Sequence, residues 1–157
     1  MKPNSGIADG HRQSVANLLN MLLADEFLLY VKTRNAHWNV TGPNFSELHL
    51  FFEGQYEQLD EVIDEVAERV RMIGHFAVAS FSDYLGLTRL TEGKTDFGKQ
   101  EAIIRGLLDD HETIIRVLRE DVTRTADEYK DLGTSDFLTG LMERHEKMAW
   151  MLRAYLS

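Results

Sequence analysis

The sequence contains no cysteine. Disulfide frameworks, thiolate nucleophiles and cysteine-based metal sites are thereby excluded, while the compartment stays open, with the cytoplasm as the default expectation. Proline is nearly as scarce. Only Pro3 and Pro43 occur in 157 residues, so beyond residue 43 no proline forces a helix to stop. No uninterrupted apolar run reaches the ~18 residues of a membrane span, and the opening "MKPNSGIADGHRQS" lacks the apolar centre of a signal peptide; no membrane partner is expected. Basic charge is short as well: 17 Lys and Arg stand against 26 Asp and Glu, for a formal net charge of −9 and a pI near 5.1. The N-terminal stretch offers only Lys2 and Arg12, and the closing "MLRAYLS" adds no basic extension. DNA binding through phosphate contacts is therefore expected to be weak or absent. The acidic surplus suits cation handling or solubility.

What is present is an ordinary globular composition, 43% hydrophobic and 27% charged, in a chain sized for one domain over residues 1–157 with residues 1–8 as a short tail. Val15, Leu18, Leu19, Leu22, Leu23, Phe27, Tyr30 and Val31 recur at steps of three and four, which predicts an amphipathic helix from about Asp9, as its cap, to Val40. "TGPN" at 41–44 breaks it. A second helix is predicted from Asn44 or Phe45 to Ile73, stopped by Gly74, and "SFSDYLGL" predicts a short helix in the mixed stretch 75–95. A third helix is expected from about Asp96 to Asp131. Gly133 then breaks the pattern, and Thr134 or Ser135 caps a fourth helix running to about Leu156. The fold expected is all-α: a four-helix bundle whose long crossover between the second and third long helices contains the short helix. That is the ferritin-like connectivity; shorter loops would indicate an up-and-down bundle.

Di-iron bundles carry Glu-x-x-His on two helices. The residues three positions before the six histidines are Ala8, Arg34, Ser46, Met72, Leu108 and Met142, so an intrachain site of that type is absent. On the second helix, however, His49 with Glu53 and Asp64 with Glu68 both have i, i+4 spacing. His49 and Asp64 stand roughly 22 Å apart at ~1.5 Å per residue, too far for one ion with ligand bonds of ~2 Å. Both pairs nevertheless lie near one side of the helix. A second copy of this helix, antiparallel across a two-fold axis centred between Gln58 and Leu59, places His49 opposite Glu68 and Glu53 opposite Asp64 in a single register. Three carboxylates and an imidazole form a mostly oxygen-donor set suited to Fe(II) or a similar divalent ion. His37, at the end of the first helix, is a further nitrogen donor that bundle packing can bring beside His49. His11, His75, His111 and His145 have no partner set and read as structural or surface residues. Glu65 with Arg69 reads as an i, i+4 pair that stabilises the helix, and Trp150 as core or interface packing.

"NAHWNVTGPNFSELHLFFE" followed by "IDEVAERV" resembles the Dps family, the DNA-binding proteins from starved cells, which are ferritin-like mini-cages; the likeness extends to "TSDFLTGLMERHEKMAWML". The resemblance implies a ferroxidase that oxidises Fe(II) to Fe(III) and stores ferric mineral in a hollow dodecamer, with hydrogen peroxide as the oxidant. It also implies a mono-iron or di-iron centre shared by two subunits. His37, His49 and Glu53 come from one subunit, Asp64 and Glu68 from its partner. Glu53 departs from the aspartate of many members and has a longer arm. Trp38, beside His37, becomes a radical trap. Asp136, and less directly Asp127 and Asp131, become pore acids near the start of the last helix. Twelve copies would carry on the order of −100 formal charges, a strong attraction for cations. Two other readings follow from the same resemblance: a DNA-compacting nucleoid protein, which in this family generally carries a basic tail, and a structural cage without redox activity, its site occupied for example by zinc.

Overall fold

The computed structural model describes residues 3–93 and 96–157. They form α1 (Asp9–Asn39), α2 (Phe45–Met72), α3 (Phe81–Leu87), α4 (Gln100–Asp127) and α5 (Leu132–Ala154), and no strand occurs among them. The predicted apolar stripes meet along the bundle axis. Leu19 and Leu22 of α1, Phe52 and Leu59 of α2, Ile114 of α4 and Leu138 of α5 are each essentially inaccessible to solvent. α1 packs along α2 and α4 along α5, and contacts of α1 with α4 and of α2 with α5 close the bundle. By length and composition α1 could cross a membrane, but most of its apolar residues from Val15 to Ala36 line the core, Val31 being exposed. Burial in protein accounts for them.

The crossover climbs α1. Val78 N donates to Asn20 Oδ1 at 3.1 Å, and the Asp25 carboxylate accepts from Thr88 Oγ1, Arg89 N and Arg89 Nε at 2.9, 2.6 and 2.7 Å. Lys32 Nζ then donates to the Thr91 carbonyl and Gln100 Nε2 to the Thr41 carbonyl. α4 thus begins beside the end of α1, which joins two antiparallel hairpins as the ferritin-like connectivity requires. Within the crossover Ser80 caps α3, accepting from Asp83 N at 3.2 Å.

Helix ends depart from the sequence reading for identifiable reasons. Asp9 lies inside the first turn of α1, ion-paired with Arg12, and Ala8 is the N-cap residue without a side-chain bond. Arg12 also holds the Pro3 and Ile7 carbonyls at 3.1 and 2.8 Å, which fastens the segment before α1 to the bundle. α2 stops at Gly74, whose φ of +92° favours glycine and where a Cβ would meet Pro3 Cδ at 2.5 Å. α4 starts at Gln100 rather than Asp96 and ends at Asp127, and Lys130, at φ 58°, turns the chain. The cap of α5 is Asp131, which accepts from Thr134 N at 2.9 Å, so neither Thr134 nor Ser135 caps it and Gly133 lies within its first turn. Glu65 and Arg69 do not pair with each other either. Glu65 binds Arg144 of α5, while Arg69 reaches Asp131 and Thr134. These bonds tie α2 to α5.

The bundle also buries a polar relay. His145 Nε2 lies 2.8 Å from Glu26 Oε1, and His145 Nδ1 lies 2.9 Å from His111 Nδ1; all three residues are 0% exposed. Of the two readings the sequence left for His111 and His145, the structure gives the structural one, and it supplies the partners that the sequence did not show. Burial first, and the His145 ring second, hold the pKa of His111 well below its ordinary value. Between pH 6.5 and that lowered pKa, the unfolded chain binds a proton at residue 111 that the folded chain does not. Stability is then full above about pH 6.5 and falls by up to ~1.4 kcal/mol per pH unit below it. Asp110 and Asp121, whose pKa values are raised mainly by burial, act in the opposite sense at lower pH. Urea unfolding at fixed protomer concentration is expected to show a decline from pH 7 to 5.5 that His111→Asn flattens.

Candidate metal centre

The chain reverses between α1 and α2 at residues 40–44, which sets the last turn of α1 against the first turn of α2. His37 and His49 meet there. Their rings stack with centroids 3.7 Å apart and 21° between planes. His37 Nδ1 lies 2.8 Å from the His49 carbonyl, and His49 Nδ1 lies 2.8 Å from the His37 carbonyl. A carbonyl only accepts, so both Nδ1 atoms must carry the proton. Each imidazole is thereby set as the tautomer whose Nε2 lone pair is free, with a backbone bond orienting it as a ligating histidine requires. His37 is buried and His49 half-buried, so the pair is shielded without being closed off.

Glu53 lies one turn further along α2 and accepts from Tyr56 Oη at 3.2 Å. The Tyr56 ring stands edge-on to His37 at 5.2 Å. Desolvation, followed by the Glu53 carboxylate, raises the Tyr56 pKa, so the phenol stays protonated and donates. Arg34 lies over the Tyr56 and Trp38 rings at 4.5 and 5.2 Å, and Trp38 itself is 63% exposed. Tyr56 was not singled out from the sequence; its position three residues after an acid is the signal that could have marked it.

Asp64 and Glu68 stand exposed on α2, and neither has a hydrogen bond or ion pair among the described residues. The same chain does not bring them to the histidines: among the described residues no group of three His, Asp or Glu side chains is placed to hold a metal ion. One chain presents two aligned nitrogen donors and a nearby carboxylate on one part of α2, and two unpaired carboxylates further along it.

The three acids near the start of α5 differ in kind. Asp136 is exposed. Asp127 is exposed but borders a groove it shares with Arg116, Arg119 and Arg124. Asp131 is 3% exposed, with its oxygens bound by Thr134 N, Thr134 Oγ1 and Arg69. Trp150, read from sequence as packing, is 62% exposed on this chain.

A family model described as a ferritin-like domain matches residues 16–157. The chain is 49% identical over 153 residues to an uncharacterised low temperature-induced protein of Nostoc, covering 98% of this chain and 86% of that protein. It is 38% identical over 148 residues to DNA protection during starvation protein 2 of Bacillus anthracis, covering 92% and 98% of the two chains. Among solved structures, the Dps protein of Vibrio cholerae O1, described as a member of a broad superfamily of ferritin-like diiron-carboxylate proteins, matches with a TM-score of 0.92. It is 34% identical, with 99% of this chain and 97% of that one covered.

Proposed function

The chain belongs to the Dps family of ferritin-like proteins, and from that premise we propose that it is a ferroxidase that oxidises Fe(II) at centres shared by two subunits and stores the ferric product within a dodecameric cage. The observation that carries this reading is the reciprocal His37–His49 arrangement. Two imidazoles fixed by backbone carbonyls, each with a free Nε2, are prepared ligands. Glu53 adds a carboxylate beside them. Asp64 and Glu68 of a second copy complete the set by the two-fold register of α2. Two nitrogens and three carboxylates suit Fe(II) as substrate, bound in one or two copies.

The oxidant in this reading is hydrogen peroxide. Two Fe(II) each give one electron to one peroxide, which takes up two protons and leaves as two waters with no hydroxyl radical released. Trp38, exposed next to His37, is placed to intercept a stray radical. Asp136 is the pore acid this reading favours, because the Asp131 carboxylate is engaged elsewhere and Asp127 has arginine neighbours. Arg12 fastens Pro3 and Ile7 to the bundle, so this segment is not a free arm for the DNA protection named in relatives.

Ferric absorbance after anaerobic Fe(II) loading and addition of peroxide tests the reading, with assembled wild type set against an assembled Asp64→Asn, Glu68→Gln variant. Fast oxidation by wild type and a near-background rate for the variant are expected. Equal rates would remove the ferroxidase assignment and leave a redox-inactive cage or a DNA-compacting role.

A further inference from the structure

We propose that Tyr56 is a positioning residue whose hydroxyl latches the long Glu53 side chain in register with the His37–His49 pair. The proposal rests on the assignment of Glu53 as an iron ligand. A glutamate has one more rotatable bond than the aspartate of many family members, and a carboxylate that wanders among rotamers is a poorer ligand than a fixed one. The only hydrogen bond to Glu53 among the described residues removes that freedom: Tyr56 Oη reaches back one turn along α2 to Oε1 and leaves Oε2 unoccupied.

The latch is itself held. The Tyr56 ring stands edge-on to His37 at 78° and perpendicular to Tyr30, with centroids 5.2 and 6.1 Å away. The Arg34 guanidinium lies 4.5 Å over its ring and donates to Tyr30 Oη at 3.0 Å. Residues of α1 therefore place a hydroxyl on α2, and through it one ligand relative to another. The 3.2 Å contact is already longer than the roughly 2.5–3.0 Å usual for an O–H···O bond and lies near the outer limit of hydrogen-bond reach. An aspartate at position 53, shorter by one carbon–carbon bond of ~1.5 Å, would fall outside it. The latch is therefore specific to glutamate.

That specificity supplies the test. Co(II), a redox-silent stand-in for Fe(II), is titrated anaerobically into assembled wild type, Tyr56→Phe, Glu53→Asp and the double variant, and its visible ligand-field bands report both affinity and geometry. Tyr56→Phe is expected to weaken binding on the order of tenfold and to broaden the bands in the glutamate background. In the Glu53→Asp background the same change should have no further effect, giving a clear coupling between the two positions. An equal loss in both backgrounds would make Tyr56 a packing residue and overturn the proposal, as would unchanged or tighter binding by Tyr56→Phe. Asp64→Asn serves as the control for the parent reading. If wild type binds no Co(II), or binds it indifferently to Asp64, the shared centre itself fails and the latch with it.

Discussion

Two inactive variants assembled together are expected to recover roughly a quarter of wild-type ferroxidase activity. One variant carries His37→Ala and His49→Ala, the other Asp64→Asn and Glu68→Gln, and each alone should run near the uncatalysed rate. In a two-fold dimer of the proposed register, each centre takes histidines from one chain and acids from the other. A mixed dimer therefore holds one centre damaged in both halves and one with both halves intact. Random pairing makes about half the dimers mixed, and one centre in two within them is active, which gives the quarter. Co-expression with two affinity tags, followed by the peroxide assay on the doubly tagged cage, makes the measurement. An intrachain site predicts no recovery, because neither chain then holds a complete set. A near-zero rate from a cage verified to contain both chains would therefore sink the shared-centre geometry while leaving the fold untouched.

Replacing His145 by Ala is expected to cost about 2–4 kcal/mol of stability, the sum of leaving a buried hydrogen-bonding group without its partner and of the cavity left behind. Glu26 is 0% exposed, and its one hydrogen bond among the described residues is the 2.8 Å contact with His145 Nε2; Oε2 has no partner. Without His145 the Glu26 side chain would remain in the core with no hydrogen-bond partner among the described residues, and His111 Nδ1 would lose its contact too. The double replacement Glu26→Leu, His145→Leu removes the stranded group as well as the imidazole, and should regain much of the loss. Denaturant unfolding at fixed protomer concentration separates the two, because assembly otherwise contributes to apparent stability. If the single and double variants were equally destabilised, the cost would lie in packing volume rather than in the orphaned carboxylate.

Much of this molecule is legible in its sequence, for local reasons. Helical periodicity requires only that apolar residues recur along one segment, so α1, α2 and α5 lie close to their predicted spans and α3 appears within the crossover. The pairs His49–Glu53 and Asp64–Glu68 share one helix, so their common side and the proposed two-fold register can both be read from the sequence. Capping was less legible. Asp131 and Gly133 both resemble punctuation, and the choice of Asp131 as cap was made by its joint contact with Thr134 and with Arg69 from α2. The same cross-bundle contacts separated Glu65 from Arg69.

Other features belong to the tertiary structure alone. The free Nε2 atoms of His37 and His49 follow from carbonyls that each residue finds only when α1 and α2 are packed together, 12 residues apart in sequence. Glu26, His111 and His145 come from three helices, the first and last 119 positions apart in sequence. No spacing rule links them, since their contact depends on how the helices rotate and slide against one another. Sequence determines which side chains share a face. Packing determines what each face meets, and therefore which nitrogen carries a proton and which carboxylate is left free.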